Sequence, residues 1–226
     1  MLSRAFVPVL FAAVATGCAG AQRPGPSSPA GGESLPIVKL DLAQPDPGSV
    51  LRQRARLVDP RSPEVERLVA TMRATLEQSG GVGLAAPQVG EAVRVILIKH
   101  GTRPVGQATV VRAYVNPMLE WSSEEMEDDF EGCLSIDGVG GLVRRAVAVR
   151  MSFEPLGGGE RQTIELRDWD ARIAQHELDH LDGTLYVDKL AGELVSADEA
   201  RRLRDELHRA RGWIPAQGGA TEATAR

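Results

Sequence analysis

The chain has 226 residues, of which 42% are hydrophobic and 25% charged, a composition typical of a globular protein with one domain and additional tails. Its formal net charge is −5 and it has no dense run of Lys and Arg, which argues against nucleic acid or an anionic membrane surface as its primary partner. The two cysteines, Cys18 and Cys133, lie in segments of very different composition, so a disulfide framework is not expected.

The first 18 residues have the layout of a secretory signal. Arg4 lies near the start, an apolar run extends from Phe6 to Val14, and small residues lead directly into Cys18. The apolar run is shorter than a membrane-spanning helix needs to be. The small residues before Cys18 also resemble the lipobox of bacterial lipoproteins, although Ala15 stands where leucine is most often found. We therefore expect an exported protein in the cell envelope, either anchored by a lipid on Cys18 or free in the periplasm.

Two alternatives to export are open for this segment. It could be a transit peptide, or translation could begin downstream of Met1, which would give a cytoplasmic protein. The next methionine is Met72, so a downstream start would need a codon other than that of methionine.

Residues 19–48 are rich in Pro, Gly, Ser and Ala, a composition that buries too little apolar surface to become ordered. They are predicted to form a disordered tether. The folded domain is predicted to cover residues 49–213. Residues 214–226, which are again small and polar, are predicted to form a disordered tail.

The first half of the domain contains one predicted helix and two predicted strands. Ser62-Pro63 is typical of a helix start, and apolar residues then recur at helical spacing as far as Gly80. Residues 93–98 form a β-branched, apolar run that predicts a strand, and a second such run precedes Asn116-Pro117. The acidic run 124–129 is most simply a solvated loop or strand edge.

The second half predicts a hairpin followed by two helices. Residues 146–153 and 162–166, separated by a Pro- and Gly-rich turn, predict the hairpin. Asp170 to about Leu181 predicts a helix, and a capping box that begins at Ser196 predicts a C-terminal helix. The sequence therefore predicts an α+β fold, with a mostly antiparallel sheet around a central helix and further helices at the N- and C-terminal ends.

An H-E-x-x-H motif lies in the predicted central helix, within residues 175–181. Because residues four apart share one face of a helix, His176 and His180 can converge on one ion, which makes this a metal-binding helix. Glu177 lies beside that ion and can take a proton from a water that the metal activates. On its own the motif also permits surface polar residues, since five-residue patterns arise by chance.

Two further segments supply the remaining polar groups of a candidate site. Residues 131–135 contain Cys133, whose thiolate would be a third ligand for zinc or iron(II) and would leave one coordination position open. Taken alone, a buried and inert cysteine is the commoner situation. Residues 81–88 combine glycines, which permit close backbone approach, with Gln88, whose amide can donate to an oxyanion.

The three segments read G-x-G-L-A-A-x-Q, E-G-C-L-S and Q-H-E-x-D-H-L, and in this order they resemble the signature motifs of peptide deformylases. The resemblance extends from about residue 50 to residue 190. It implies a metal-dependent hydrolase that removes the N-formyl group from N-formylmethionyl peptides. It also implies that Cys133, His176 and His180 are the metal ligands and that Glu177 is the catalytic general acid and base.

The resemblance also assigns residues to the substrate. Gln88 and the backbone N–H of Leu134 would bind the formyl oxygen as it becomes an oxyanion, and Gly83 would contact the substrate backbone. The S1′ pocket, which takes the methionine side chain, would be lined by three residues: Val82, Trp169 and Ile173. Trp169 is bulky for this wall, so a reshaped pocket is expected.

The resemblance implies one divalent metal ion as cofactor, Fe(II) first, with Zn(II), Ni(II) or Co(II) as alternatives. The expected partner is an N-formylated peptide, with no nucleic acid, and the protein is expected to be a monomer. One departure from the family pattern is Asp137, which follows Ile136 where proline is usual. A second is the export signal, because nascent chains are deformylated in the cytoplasm.

Two other functions compete with this one. A zincin-like endopeptidase also uses H-E-x-x-H but takes its third ligand from downstream, whereas Cys133 lies upstream. An envelope-anchored, deformylase-like protein could act on a different amide or only bind metal and peptide, but it would be expected to have lost Glu177 or Gln88. His100 and His208, each alone in the sequence, are expected to be exposed.

Overall fold

The computed structural model describes residues 33–215; the signal-like segment with Cys18 and the tail from residue 216 lie outside the described residues. The α-helices of the described part are α1 (Pro63–Ser79), α2 (Asp168–Leu181) and α3 (Ala197–Ala210). The strands are β1 (Gly83–Ala85), β2 (Val95–His100), β3 (Val110–Ser122), β4 (Met126–Cys133), β5 (Ile136–Ala146), β6 (Ala148–Glu154), β7 (Gln162–Arg167) and β8 (Leu190–Ser196). No helix among these is long and apolar enough to cross a membrane.

The strands form two antiparallel sheets. The larger sheet has the order β1-β2-β3-β6-β7, and the smaller has the order β4-β5-β8. Helix α2 lies between them, because it packs against β1, β2 and β7 of the larger sheet and against β5 of the smaller one. The predicted α+β fold with a mostly antiparallel sheet around a central helix is confirmed.

Strand β2 of the larger sheet is buried on both faces, which is why its sequence is continuously apolar. Side chains alternate across a strand, so Ile96 and Ile98 face the cluster formed with α2. Val95 and Leu97 face the opposite cluster, which includes α1. All four side chains are fully buried. Helix α2 is therefore fixed on a rigid layer.

The helix ends follow the predicted capping chemistry. Ser62 caps α1 by accepting a hydrogen bond from the N–H of Glu64 at 3.1 Å, and the helix stops at Gly80, whose φ is 68°. Ser196 caps α3 by accepting from the N–H of Glu199 at 3.2 Å. Helix α2 begins at Asp168, two residues before the predicted start.

The acidic run 124–129 lies largely at a strand edge, as predicted, because β4 is an edge strand of the smaller sheet, but Asp129 is an exception. Most of it belongs to β4, and the Asp129 side chain is fully buried against α3, where it accepts hydrogen bonds from His208 and Arg211. Although burial raises it, these hydrogen bonds lower the pKa of Asp129 overall. The expectation of an exposed His208 is also wrong, since its side chain is fully buried. The buried carboxylate is stable because both His208 and Arg211 donate hydrogen bonds to it. The sequence did not reveal them because they lie about 80 residues further along the chain.

The end of the predicted tether belongs to the folded domain. Residues 35–40, called here the N-terminal segment, lie extended against the domain, and the N–H of Leu35 donates to Thr75 at 2.8 Å. Leu40 is only 7% exposed and packs in a cluster with Leu51 and Tyr186. The apolar side chains of this short segment fit a groove that composition alone cannot reveal. The folded domain therefore begins before residue 49, which was its predicted first residue.

Leu40→Ala should destabilise the domain by about 2 kcal/mol or more, because it leaves a cavity in an apolar cluster. Leu42→Ala is the matched control: Leu42 is 38% exposed and its truncation should change the free energy of unfolding by less than about 0.5 kcal/mol. Urea unfolding of both variants measures the difference. Equal, near-zero effects would mean that the segment is detached in solution.

Candidate active site

The helical spacing of α2 brings His176 and His180 together beside Cys133. Cys133 is the last residue of β4, at the turn that leads into β5. The ligand atoms of the three residues all lie within 4.8 Å of one another, and Cys133 Sγ is 3.3 Å from His180 Nε2. At ordinary zinc distances, ligands of a tetrahedral ion lie roughly 3.4–3.8 Å apart. The cluster therefore fits one divalent metal ion.

The surroundings of Cys133 favour its thiolate. Although burial opposes ionisation, the imidazoles of His180 and His176 hold the pKa of the Cys133 thiol well below its usual value. The sulfur also accepts hydrogen bonds from the Gln88 amide and from the N–H of Ser135, each at 3.4 Å. A thiolate is the form in which cysteine binds metals.

Glu131 orients the first histidine and was assigned no role from the sequence. Its buried carboxylate contacts His176 Nδ1 at 2.9 Å, which leaves Nε2 of that ring for a metal. The same carboxylate accepts two hydrogen bonds from Arg145, at 2.9 and 2.8 Å, and one from Arg172 at 2.8 Å. Although burial opposes ionisation, these partners hold the pKa of Glu131 well below its usual value. Its position two residues before Cys133 was the only signal available in the sequence.

Glu177 is buried beside the cluster. Burial, only partly offset by the two nearby histidines, raises the pKa of Glu177 to about 7. Its Oε2 has no hydrogen-bond partner among the described residues. A Cβ added to Gly83 would lie 2.2 Å from Glu177 Oε1, so the carboxylate occupies the space that this glycine leaves. Gly83, predicted to contact the substrate backbone, is thus also in contact with the candidate base.

Gln88 is buried and its orientation is fixed. Its Oε1 accepts from the N–H of Ala85 at 2.9 Å, which turns the amide nitrogen toward Cys133 and Ser135 Oγ. Leu134 lies in the turn after Cys133. The two predicted oxyanion donors therefore come from different loops that meet at the cluster.

The N-terminal segment joins these two loops. The N–H of Val38 donates to the carbonyl of Gln88, and the N–H of Leu40 donates to the carbonyl of Ser135, both at 2.8 Å. Between them, Lys39 donates to the carbonyl of Leu134 at 2.8 Å. Lys39 also pairs with Asp137, the departure from the family pattern, and both side chains are largely exposed.

The active-site cavity has a volume of about 360 Å³ and brings together nearly all of the predicted site residues. It is lined by the predicted substrate residues Val82, Gly83, Trp169 and Ile173 and by the predicted chemical groups Gln88, Cys133, Leu134, His176 and Glu177. His180 lies behind this surface and is buried.

Trp169 is held from behind by α3. Its ring meets the imidazole of His208 edge to face, with 4.9 Å between the centroids, and His208 in turn contacts Trp213. The bulky wall predicted for the S1′ pocket is thus a fixed wall, because α3 packs against its outer side.

A family model and two relatives that match this chain all represent peptide deformylases. A family model described as "Polypeptide deformylase" matches residues 39–194. A peptide deformylase 1 of Nitrosomonas europaea is 39% identical over 155 residues, which cover 66% of this chain and 86% of that protein. A peptide deformylase of Desulfitobacterium hafniense is 43% identical over 141 residues, which cover 62% of this chain and 87% of that protein.

Solved structures of peptide deformylases are also similar to this chain. The Met-Ala-Ser-bound class I type b peptide deformylase of Acinetobacter baumannii superposes with a TM-score of 0.61 and 33% identity, over 70% of this chain and 98% of that one. The peptide deformylase of Thermotoga maritima gives a TM-score of 0.62 and 30% identity, over 71% and 100% of the two chains.

Glu131→Gln should destabilise the protein by roughly 3–5 kcal/mol, because it removes the counter-charge of the buried Arg172 and one of the two counter-charges of the buried Arg145. Asp128→Asn, in the same strand, is the matched control: its salt bridge to Arg144 is largely exposed, and its loss should cost less than about 1 kcal/mol. Chemical denaturation of both variants tests this. A loss at Glu131 no larger than at Asp128 would contradict the assigned role.

Proposed function

Because the chain belongs to the peptide deformylase family, and is therefore a hydrolase that removes formyl groups from peptides, we propose that it acts on N-formylmethionyl peptides at the cluster of Cys133, His176 and His180. The observation that carries this proposal is the convergence of the three ligand atoms within 4.8 Å, beside a buried carboxylate and a buried amide. We also propose that it acts as a monomer.

One divalent ion held by Cys133, His176 and His180 is the proposed cofactor. A thiolate with two imidazoles suits iron(II), and also zinc, nickel or cobalt. Such an ion would supply a Lewis acid that acidifies a water molecule and polarises the formyl carbonyl. We propose iron(II); zinc, which has no redox chemistry, is the alternative in an oxidising compartment.

Glu177 is the proposed general base and acid. Its carboxylate takes a proton from the attacking water as the water oxygen bonds to the formyl carbon. It then delivers that proton to the amide nitrogen, the C–N bond breaks, and formate and a free amino terminus are the products. The contact with Gly83, and an Oε2 without a hydrogen-bond partner among residues 33–215, support this role because they leave the carboxylate oriented and available.

The Gln88 amide and the Leu134 N–H are the proposed oxyanion donors. They would stabilise negative charge on the former formyl oxygen, and removal of one such donor typically costs about 3 kcal/mol of transition-state stabilisation. The proposed S1′ pocket for methionine is formed by Val82, Trp169 and Ile173, which line the active-site cavity. The bound Met-Ala-Ser of the Acinetobacter baumannii enzyme supports a peptide of this kind.

We further propose that the enzyme acts in the cell envelope, anchored through Cys18. The support is the signal-like pattern of residues 4–18. In that location its substrates would be exported or scavenged formyl peptides rather than nascent chains.

Protein loaded anaerobically with iron(II), and separately with zinc, should release formate from formyl-Met-Ala-Ser. Glu177→Gln keeps the shape of the side chain but cannot take a proton, so it should lower kcat by about 10²–10⁴-fold. Glu165→Gln, on an exposed strand, is the control and should leave the rate unchanged. No formate release from fully metallated protein would refute the enzymatic role and favour a metal- and peptide-binding function.

Cys18→Ala should move the protein from the membrane fraction to the soluble fraction, because it removes the proposed lipid attachment site. Cell fractionation followed by immunoblotting measures this in the native host. Protein found in the cytoplasm would contradict the envelope location, and a cytoplasmic chain that lacks Cys18 would indicate a downstream start.

A further inference from the structure

The inward face of α3 carries an arginine between two buried residues. Ala200, Arg204 and His208 are spaced four apart and therefore share one side of the helix. Ala200 and His208 are buried against the domain, and a Cβ on Gly140 would lie only 2.6 Å from the Ala200 Cβ. Arg204, between them, is half-buried and faces the domain.

The guanidinium of Arg204 has no counter-ion in the described part of the chain. Its Nε is buried without a hydrogen-bond partner, and the carboxylates of Asp205 and Asp129 lie beyond salt-bridge distance. Burial, with the positive charges of Arg103 and Arg201, lowers the pKa of Arg204. Arginine nevertheless keeps its proton in proteins, so a partly desolvated positive charge remains. Such a charge is unfavourable until an anion pairs with it.

Arg204 lies where three clefts meet. It lines the active-site cavity and two adjoining clefts with volumes of about 590 and 270 Å³. The larger of these, beside Trp169, is also lined by Lys99 and Arg103, and no carboxylate lines it within residues 33–215. Arg201 also lines the α3 end of the active-site cavity, where it pairs with Asp198 at 3.0 Å, so within the described residues the unpaired positive charge at this end is that of Arg204.

We propose that Arg204, with Arg201 beside it, binds a carboxylate of the substrate peptide, so that the enzyme prefers short formyl peptides with a free carboxylate near the formylated residue. The inference rests on the proposed function, because it takes the peptide to lie in the active-site cavity. The carboxylate can come from the peptide C-terminus or from an acidic side chain. Where the C-terminus supplies the carboxylate, the substrate is a free peptide fragment rather than a long chain with a distant terminus.

The test compares three tripeptides: formyl-Met-Ala-Ser, its C-terminal amide, and the amide of formyl-Met-Ala-Glu. Wild-type holoenzyme should have a kcat/KM about ten- to a hundredfold higher for the free acid than for its amide, mainly through KM. Arg204→Gln should bring this ratio close to one. If the glutamate peptide amide matches the free acid, a side-chain carboxylate is accepted; if it matches the serine amide, the C-terminal carboxylate is the ligand.

Arg202→Gln is the control, because Arg202 lies on the outer face of α3, paired with Glu199 and Glu206, and has the same charge. It should keep the full acid preference. Calorimetric binding of the product Met-Ala-Ser against its amide gives a readout that needs no turnover. A wild-type acid-to-amide ratio near one in both kinetics and binding would overturn the proposal. Failure of the proposed function is distinct, because no peptide would then release formate.

Discussion

Glu131 contributes one buried carboxylate that four side-chain hydrogen bonds hold in place. They join strand β4, which carries Glu131, to Arg145 on β5 and to Arg172 and His176 on α2. Burying these charges removes their hydration, which is unfavourable. Their mutual attraction offsets this loss only when the hydrogen-bond geometry is good. The arrangement therefore serves to define one relative position of β4 and α2. That position determines whether Cys133, two residues from Glu131, reaches the two histidines.

The remaining parts of the site depend on the fixed relative position of β4 and α2. The two loops that carry the Gln88 amide and the Leu134 N–H meet at the cluster, and the N-terminal segment ties their backbones together through Val38 and Leu40. Helix α3 closes the opposite side, where His208 supports Trp169. Because the groups come from four separate stretches of chain, their alignment is a property of the tertiary structure and of no single motif.

Local patterns predict those features whose partners are close in sequence. The caps of α1 and α3, the apolar run of β2 and the shared face of His176 and His180 all follow from residues a few positions apart. Cys133 was assigned as the third metal ligand because the three motifs resemble those of peptide deformylases. What local patterns could not predict depends on distant partners: Asp129 looks solvated until His208, 79 residues away, is placed beside it. Leu40 looks like part of a polar tether until its cluster with Leu51 and Tyr186 is known.

The contact between Gly83 and Glu177 limits how this gene can vary. Any side chain at position 83 would bring a Cβ to 2.2 Å from the carboxylate oxygen and 2.9 Å from Ile173, and so would displace the proposed general base. Every missense change in the Gly83 codon therefore alters the chemistry even where the fold survives. While selection maintains the activity, only synonymous changes should persist there, whereas neighbouring Val82 can exchange with other apolar residues and tune which side chain the pocket admits.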